Sequence, residues 1–254
     1  MVPAALVTGA SRRGGIASAV VEALRRDGWT VATTGWRAYD ASEPWGSQPK
    51  EADELGGGTF IEADLSDPDA PAAVLDAAEE AVGPLTALVV LHTESRLGGV
   101  LDTHAEDFDR HVAVNARSVL LLTGEFARRF RGEAGSGRVV AFTSGAVHGE
   151  VAYGASKAAL ERIVLAAAAE LGPLGITVNA VDPGPTDTGW VSPELRELFE
   201  QGTPLGRVGQ PEDAAELVAF LCSPRAGWIT GQVITSDGGW SVRTVARRGR
   251  TPLE

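Results

Sequence analysis

Short apolar runs alternate with longer segments of helical periodicity along most of the chain. Seven such runs, each five to seven residues long, lie at residues 4–8, 29–34, 59–63, 85–91, 138–143, 175–181 and 231–235. Runs of this length that end in Gly, Pro or polar residues are typical of strands buried in a parallel sheet. Segments with helical spacing fall between them, at residues 18–27, 69–82, 104–130, 152–171 and 210–222. The alternation predicts a single α/β domain whose doubly wound, seven-stranded parallel sheet carries helices on both faces.

The predicted domain spans residues 1–240 and is followed by a polar C-terminal tail at residues 241–254. We interpret residues 186–208 as a lid over a substrate site, because this segment combines a short helical pattern with large apolar side chains such as Trp190. Packing of these side chains against the body of the domain is the competing interpretation. A further short helix is predicted at about residues 49–55.

Composition narrows the class of protein. The chain has 254 residues, 44% of them hydrophobic, which is enough for one large domain with a sizeable core. Its net charge of −12 argues against nucleic acid or an anionic membrane as a partner. The single cysteine excludes an intramolecular disulfide, and the four histidines lack metal-ligand spacing, so we expect no metal. With no secretion signal and no apolar run near the ~20 residues of a membrane span, we expect a cytoplasmic protein.

The first strand leads through a glycine-rich turn into a helix. Glycines in such a turn let the backbone approach a pyrophosphate, and the helix N-terminus offers free N–H groups. This context predicts a dinucleotide site whose residues in the turn are Gly9, Ser11, Arg12, Arg13, Gly15 and Ile16.

The residues after the second strand bear on the choice of cofactor. A carboxylate at the end of this strand would bind the ribose 2′-hydroxyl of NAD, but the strand ends in Gly35-Trp36-Arg37. Arg37, together with Arg12 and Arg13, is placed where a 2′-phosphate needs cations, which favours NADP(H). Asp40 follows closely and leaves NAD(H) open.

A hydroxyl, a phenol and an ammonium come together after the fifth strand. Ser144 follows the strand directly, and Tyr153 and Lys157 are spaced i,i+4 on the next predicted helix. An ammonium one turn away is expected to favour the phenolate, which would make Tyr153 a proton donor and acceptor near neutral pH. Lys157 and Lys50 are the only lysines among 22 basic residues, so a lysine here indicates a need for its compact ammonium.

Other polar residues lie where strands end or helices would otherwise be apolar. Carboxyl ends of parallel strands are where open α/β sheets place ligands. The predicted cofactor contacts at these ends are Asp64, Leu65, Pro183, Gly184, Thr186 and Thr188. Asn115 lies inside an otherwise apolar helix, and we predict that it either holds a water near Lys157 or is satisfied by its own backbone.

Together these motifs resemble the short-chain dehydrogenase/reductase family, and within it the 3-oxoacyl-carrier-protein-reductase-like branch. The resemblance covers roughly residues 4–240. Thr8 to Ala17 is similar to the family's first loop, one residue longer and with Ala17 in place of its last glycine. The segments 204–213 and 230–239 are typical of the branch. Asn115, Ser144, Tyr153 and Lys157 match the family's catalytic set.

The chain departs from the family pattern in two places. The N-N-A-G motif after the fourth strand is replaced by Val90-Leu-His-Thr93, and His92 is expected to bond in its place on the cofactor side. Ser144 and Tyr153 are nine residues apart, fewer than is usual, which should open the site on the side of His148. Thr143 is the alternative catalytic hydroxyl.

The resemblance implies an NADPH-dependent reduction of a ketone, most simply a 3-oxoacyl thioester. Ser144 would hold the substrate oxygen, Tyr153 would protonate it, and Lys157 would lower the phenol's pKa and bind ribose hydroxyls. His148 and Trp190 are the other expected substrate contacts. The resemblance also implies a homotetramer, or a dimer. A catalytically silent nucleotide- or partner-binding protein, and dehydration or imine reduction, are the alternatives.

Overall fold

Each apolar run of the described chain forms a strand of one sheet. The computed structural model describes residues 2–42, 58–145 and 149–242. The strands are β1 (Ala4–Thr8), β2 (Thr30–Gly35), β3 (Phe60–Glu62), β4 (Ala87–Val90), β5 (Gly137–Phe142), β6 (Ile176–Asp182) and β7 (Val233–Thr235). They are all parallel, in the order β3-β2-β1-β4-β5-β6-β7. The predicted seven-stranded, doubly wound parallel sheet is confirmed.

Helices cover both faces of the sheet. They are α1 (Ile16–Arg26), α2 (Arg37–Ser42), α3 (Ala70–Val82), α4 (Ala105–Val112), α5 (Ser118–Arg129), α6 (Val151–Leu171), α7 (Pro193–Gly202) and α8 (Pro211–Cys222). The core on one face contains α1 and α8, and the core on the other contains α3, α5 and α6. Within β1 the side chains alternate between the two cores, Ala5 and Val7 on one face and Ala4 and Leu6 on the other.

Local boundaries differ from the sequence expectations in three places. Helix α2 was not predicted, because it is one and a half turns long and lies in a segment rich in turn formers. The predicted helix at 104–130 is divided by a π-helical turn, Ala113–Arg117, which contains Asn115. Helix α1 begins two residues earlier than expected, at Ile16. The helix predicted at 49–55 lies outside the described residues, as does most of the tail.

The strand order reverses between β1 and β4. Chain connections leave these two neighbours toward opposite edges of the sheet, so a crevice opens beyond their carboxyl ends, where open α/β sheets bind ligands. In the part of the chain described above, no helix is both long and apolar enough to cross a membrane.

Candidate active site

The turn after β1 approaches the end of β4 very closely. Gly9 has a positive φ of 74°, and a Cβ there would lie 2.7 Å from the backbone nitrogen of His92. A larger residue at this position would therefore both strain the backbone and push the two strand ends apart. The absence of a side chain at Gly9 therefore lets the turn after β1 lie directly against the end of β4.

The residues that follow fit a dinucleotide pyrophosphate. Gly15 is the N-cap of α1 and offers no side-chain acceptor to the first N–H groups of the helix. The Ser18 hydroxyl donates to the Gly15 carbonyl at 2.7 Å, and nothing lies within 4 Å of where a Cβ on Gly14 would be. An uncapped helix N-terminus beside open backbone is a suitable anion site. Ile16 packs against the core and Ser11 lies against Gly35, so these two shape the turn.

The arginines predicted for a 2′-phosphate lie near the end of β2, and two have carboxylate partners. The Arg37 backbone N–H and guanidinium both donate to Glu62, at 2.7 Å and 2.5 Å. The Arg12 guanidinium lies 3.9 Å from the Asp40 carboxylate and donates to the Thr188 carbonyl at 3.4 Å. Arg13 is exposed. Arg12 thus joins the first turn to the loop after β6.

The two cofactor contacts predicted after β3, Asp64 and Leu65, differ in which of their atoms a cofactor could reach. The Asp64 carboxylate accepts from the Ser66 backbone N–H at 2.9 Å and lies 3.8 Å from the Arg110 guanidinium. The side chain of Leu65 is buried in the core. A cofactor could therefore meet the carboxylate of Asp64 but only the backbone of Leu65.

His92 bonds to both sides of the crevice. Its Nδ1 lies 2.7 Å from the Thr8 hydroxyl, and its Nε2 lies 3.0 Å from the Val114 carbonyl and 2.7 Å from the Ser118 hydroxyl. Burial, reinforced by the charge of Lys157, lowers the pKa of His92 to about 3, so the ring is neutral. The imidazole ties β1 to the π-helical turn, which is a bracing role rather than the cofactor contact expected.

The hydroxyl, phenol and ammonium predicted from sequence come together beyond β5. The Ser144 and Thr93 hydroxyls both lie close enough to the Tyr153 phenol to lower its pKa by side-chain hydrogen bonding. Lys157 is 3% exposed, and its Nζ donates to the Phe142 carbonyl at 2.9 Å and lies 5.6 Å from the centre of the Tyr153 ring. The carbonyl at the end of the strand fixes the ammonium beside the phenol.

The expected direction of the phenol's pKa is wrong for this arrangement of protein atoms. Burial raises the pKa of Tyr153 to about 12, with the nearby carboxylates Glu150 and Asp182 acting in the same direction. Hydrogen bonds with Ser144 and Thr93 lower it only in part. Burial also lowers the pKa of Lys157 to about 8, so its charge does not outweigh the loss of solvent around the phenol.

The structure distinguishes between the two candidate hydroxyls. Thr143 is buried, and its hydroxyl donates to the Glu161 carboxylate at 2.7 Å. Ser144 instead bonds to the Tyr153 phenol. Successive residues at a strand end point to opposite sides, which explains why only one of the pair reaches the site.

Asn115 is completely buried and uses its amide fully within the protein. Its Oδ1 accepts from the Glu94 backbone N–H at 2.8 Å and from the Thr93 hydroxyl at 3.2 Å. Its Nδ2 donates to the Glu94 carbonyl at 2.8 Å and to the Ser156 hydroxyl at 2.9 Å. The π-helical turn places this amide against the loop after β4, so Asn115 is satisfied by that loop and by Ser156 and not by its own helix backbone. A water near Lys157 stays a prediction.

The loop after β6 is held by Asp182. One carboxylate oxygen accepts from the Gly145 N–H and the other from the Gly184 N–H, both at 3.0 Å. Gly184 has a φ of 60°, and a Cβ there would lie 2.3 Å from the Asp237 side chain. The Thr186 hydroxyl is buried and bonds within the turn at 3.2 Å. Pro183 and Gly184 therefore form a fixed turn beside Ser144.

Trp190 belongs to an aromatic cluster of the predicted lid. Its indole N–H donates to the Thr186 carbonyl at 2.9 Å, and its ring meets the edge of Phe199, which in turn meets Trp240. Trp190 remains 46% exposed while Phe199 is buried. The segment packs against the body of the domain through Phe199, while Trp190 is largely exposed; its role as a lid stays a prediction. His148, the other expected substrate contact, lies outside the described residues.

Four residues of the site were missed from sequence. Thr93, Glu94 and Ser156 contact Asn115, and Asp182 contacts Gly184, so all four contact a predicted site residue. Asp182 carried a signal, since it is a carboxylate at a strand end like Asp64. The others act through hydrogen bonds that sequence spacing does not reveal. Across residues 2–42, 58–145 and 149–242, no cluster of three or more His, Cys, Asp or Glu could bind a metal ion.

The crevice, the glycine turn and the fixed strand ends define a dinucleotide-binding α/β protein. A family model described as Enoyl-(Acyl carrier protein) reductase matches residues 9–241. The Bacillus subtilis (strain 168) protein named "Uncharacterized oxidoreductase YjdA" is 40% identical over 244 residues, 93% of this chain and 96% of the relative. Versicolorin reductase stcU of Emericella nidulans is 34% identical, covering 92% and 94% of the two chains.

Solved structures agree with these relatives. A short-chain dehydrogenase/reductase from Serratia marcescens BCRC 10948 is 35% identical with a TM-score of 0.80, covering 94% of this chain and 98% of that one. The structure of BdcA in complex with NADPH is 30% identical with a TM-score of 0.82, covering 98% of each chain. The chain belongs to the short-chain dehydrogenase/reductase family of oxidoreductases.

Proposed function

We propose that this protein interconverts a carbonyl compound and its alcohol with NADP(H), using Tyr153 as the proton donor and acceptor. The observation that carries the proposal is the phenol itself, bonded to Ser144 and fixed beside the buried ammonium of Lys157. A phenol that can give or take a proton next to a second hydroxyl is suited to a carbonyl oxygen whose charge changes during reaction.

The phenol's environment favours reduction. With its pKa raised to about 12, Tyr153 keeps its proton at neutral pH and can deliver it to the substrate oxygen. Ser144 is placed to donate a hydrogen bond to the same oxygen, as in an oxyanion site. Lys157 supplies positive charge that stabilises the phenolate left behind.

The nicotinamide cofactor would lie in the crevice between β1 and β4. When bound, it supplies the hydride of the reduction. The turn from Gly9 to Ile16 would hold its pyrophosphate, and the turn containing Pro183 and Gly184 would lie against the nicotinamide side, with Thr186 and Thr188 following. Lys157 would also reach the ribose hydroxyls, and the BdcA complex with NADPH shows a relative of this fold with that cofactor.

NADP(H) is favoured over NAD(H) by the charges near β2. Asp40, the carboxylate that could accept from a ribose 2′-hydroxyl, is 6% exposed and lies beside Arg12. Arg37 is fixed by Glu62 at the mouth of the crevice, and Arg13 is exposed. Guanidinium groups suit phosphate oxygens because they donate in a planar fork.

For the substrate we propose a ketone of the 3-oxoacyl-thioester type or a similar compound. The matching family model is described as Enoyl-(Acyl carrier protein) reductase, which supports an acyl thioester as the substrate class but names a carbon–carbon double bond, not a ketone, as the group reduced. A relative named as a versicolorin reductase falls within the same similarity range, so we keep other carbonyl compounds in the proposed substrate class. Trp190 faces out of the lid and offers an apolar contact to such a chain.

We infer a homotetramer that packs through the helical layer of α5 and α6 and through the edge strand β7. Leu120 on α5 and Leu165 on α6 are 52% and 41% exposed, and Val233 on β7 is 41% exposed. Large apolar side chains left on two adjacent helices and on a sheet edge are suited to a second copy.

Substitution of Tyr153 by Phe tests the catalytic proposal. Because only the phenolic oxygen is removed, we expect turnover to fall by more than about 10³-fold while nicotinamide fluorescence titration gives nearly the wild-type Kd for NADPH. Tighter wild-type binding of NADPH than NADH, by about 1.4 kcal/mol or more, supports the cofactor preference. Wild-type turnover by the Phe variant would refute the role of Tyr153. Cofactor binding by the wild type without turnover of any carbonyl substrate would indicate a nucleotide-binding protein.

A further inference from the structure

A second hydroxyl besides Ser144 contacts the phenol. Thr93 follows β4, and its hydroxyl lies close enough to the Tyr153 phenol to lower the pKa of that phenol. Its Oγ1 also lies 3.2 Å from the Oδ1 of Asn115 and 3.3 Å from the Glu94 carbonyl. Glycine, the last residue of the N-N-A-G motif expected at about residues 90–93, would offer no hydroxyl here.

Asn115 holds the threonine in place. Its amide makes a matched pair of hydrogen bonds, 2.8 Å each, with the backbone N–H and carbonyl of Glu94, the next residue along. Glu94 is itself fixed, since its buried carboxylate pairs with Arg96 at 2.9 Å and with Arg110 at 2.8 Å. The loop that carries Thr93 is therefore clamped through both its backbone and a side chain.

The same amide also supports the tyrosine from its backbone. Asn115 donates to the Ser156 hydroxyl at 2.9 Å, and that hydroxyl donates to the Tyr153 carbonyl at 2.7 Å. Asn115 thus reaches Tyr153 by two bridges, through Thr93 to the phenol and through Ser156 to the main chain.

Resting on the function proposed above, we propose that the Thr93 hydroxyl is a further member of the acid–base group, aimed at the Tyr153 oxygen by Asn115. A hydroxyl has one proton and can turn it toward either of two acceptors. With the phenol protonated, Thr93 donates to Asn115 or Glu94. When Tyr153 has given up its proton, Thr93 turns its own toward the phenolate, and the Asn115 oxygen keeps the N–H of Glu94.

The hydroxyl therefore stabilises the ionised form of Tyr153. Hydrogen bonds to charged groups are stronger than those to neutral ones, so its loss should move the ionisation of the phenol upward by about one pH unit, a tenfold change. The charged groups that face the phenol are Lys157 on α6, Glu150 before α6 and Asp182 at the end of β6. None of them changes in the variants below.

The test uses the two tyrosines of the chain, Tyr39 and Tyr153. Incorporation of 3-fluorotyrosine gives one ¹⁹F signal for each and makes both phenols more acidic, which brings the titration to a usable pH. Tyr39 is a built-in control, because its oxygen accepts from the Ser95 N–H at 3.2 Å and so reports any displacement of the loop. Tyr39→Phe assigns the two signals.

Thr93→Val removes the hydroxyl at constant shape, and Thr93→Ala removes it without a new methyl group. We expect both to displace the Tyr153 signal at pH 8 and to raise its titration by about one pH unit, with Tyr39 unchanged. Thr93→Ser, which keeps the hydroxyl, should restore the wild-type titration. Unchanged Tyr153 titration in the Val and Ala variants, or a Ser variant that behaves like Val, would overturn the proposal.

These measurements need neither substrate nor turnover. An active Tyr153→Phe variant would therefore reject the proposed function while the ¹⁹F titration still reported on Thr93. If both proposals hold, kcat for alcohol oxidation below the titration midpoint falls about tenfold in Thr93→Val and returns in Thr93→Ser, because the fraction of phenolate falls tenfold.

Discussion

Replacing His92 by Gln should change how the stability of the protein depends on pH. The imidazole is held neutral between Thr8 and the π-helical turn, and burial lowers its pKa to about 3. In the unfolded chain a histidine has a pKa of about 6.5. As the pH falls below 6.5, His92 takes up a proton in the unfolded state but stays neutral in the folded state. The contribution of His92 to the free energy of unfolding is therefore complete above this pH and declines toward pH 3.

The size of the effect follows from the separation of the two pKa values. At pH 5 the unfolded state gains about 2 kcal/mol from protonating His92, relative to pH 8. The residue keeps a small exposed fraction, so we expect about 1–2 kcal/mol. Gln is neutral at every pH and retains a donor for the Val114 carbonyl. At pH 8 the variant should be less stable by about 1–3 kcal/mol, because it loses hydrogen bonds of the ring.

Urea unfolding followed by tryptophan fluorescence at pH 8 and pH 5, at one protein concentration, measures the effect. The stability gap between wild type and His92→Gln should narrow by about 1–2 kcal/mol on going to pH 5. His104→Gln is the control, because the His104 side chain is exposed. The difference in unfolding free energy between wild type and His104→Gln should not narrow comparably between pH 8 and pH 5. A gap for His92→Gln that is the same at both pH values would refute a buried neutral imidazole.

Two other substitutions test the site. Ser144→Ala should lower kcat by about 10²-fold, because it removes an oxyanion donor. Thr143→Val is the control and should leave kcat nearly unchanged, because it loses only the bond to Glu161. Equal effects of the two substitutions in steady-state assays would contradict the choice of Ser144 as the catalytic hydroxyl. Arg37→Ala should raise the Kd for NADPH about tenfold, or about 1.4 kcal/mol, and the Kd for NADH much less. Arg131→Ala is the control, because Arg131 is exposed, and it should change neither Kd. An equal rise in both Kd values for Arg37→Ala would argue against a contact with the 2′-phosphate.

Sequence patterns predicted the sheet and the proximity of Ser144, Tyr153 and Lys157 because these depend on local signals. Apolar runs mark buried strands, and a hydroxyl at a strand end with an i,i+4 Tyr/Lys pair needs no knowledge of distant contacts. Helix α2 escaped prediction because six residues carry too little periodicity.

Long-range contacts explain what the sequence did not reveal. The role of Asn115 depends on Thr93, Glu94 and Ser156, which are 21 to 41 residues away along the chain. The pKa of Tyr153 was wrongly predicted because charge spacing along a helix is visible in a sequence, but the exclusion of solvent by the assembled site is not.

Asp182 gives the active site a mechanical property. A single carboxylate holds the backbone beside Ser144 with one oxygen and the turn at Gly184 with the other. The segment that we propose to contact the substrate oxygen and the segment proposed for the nicotinamide side are thereby joined across the end of β6. Substrate preference and cofactor affinity in this chain are consequently not independent traits, and selection or engineering that reshapes one loop carries the other with it.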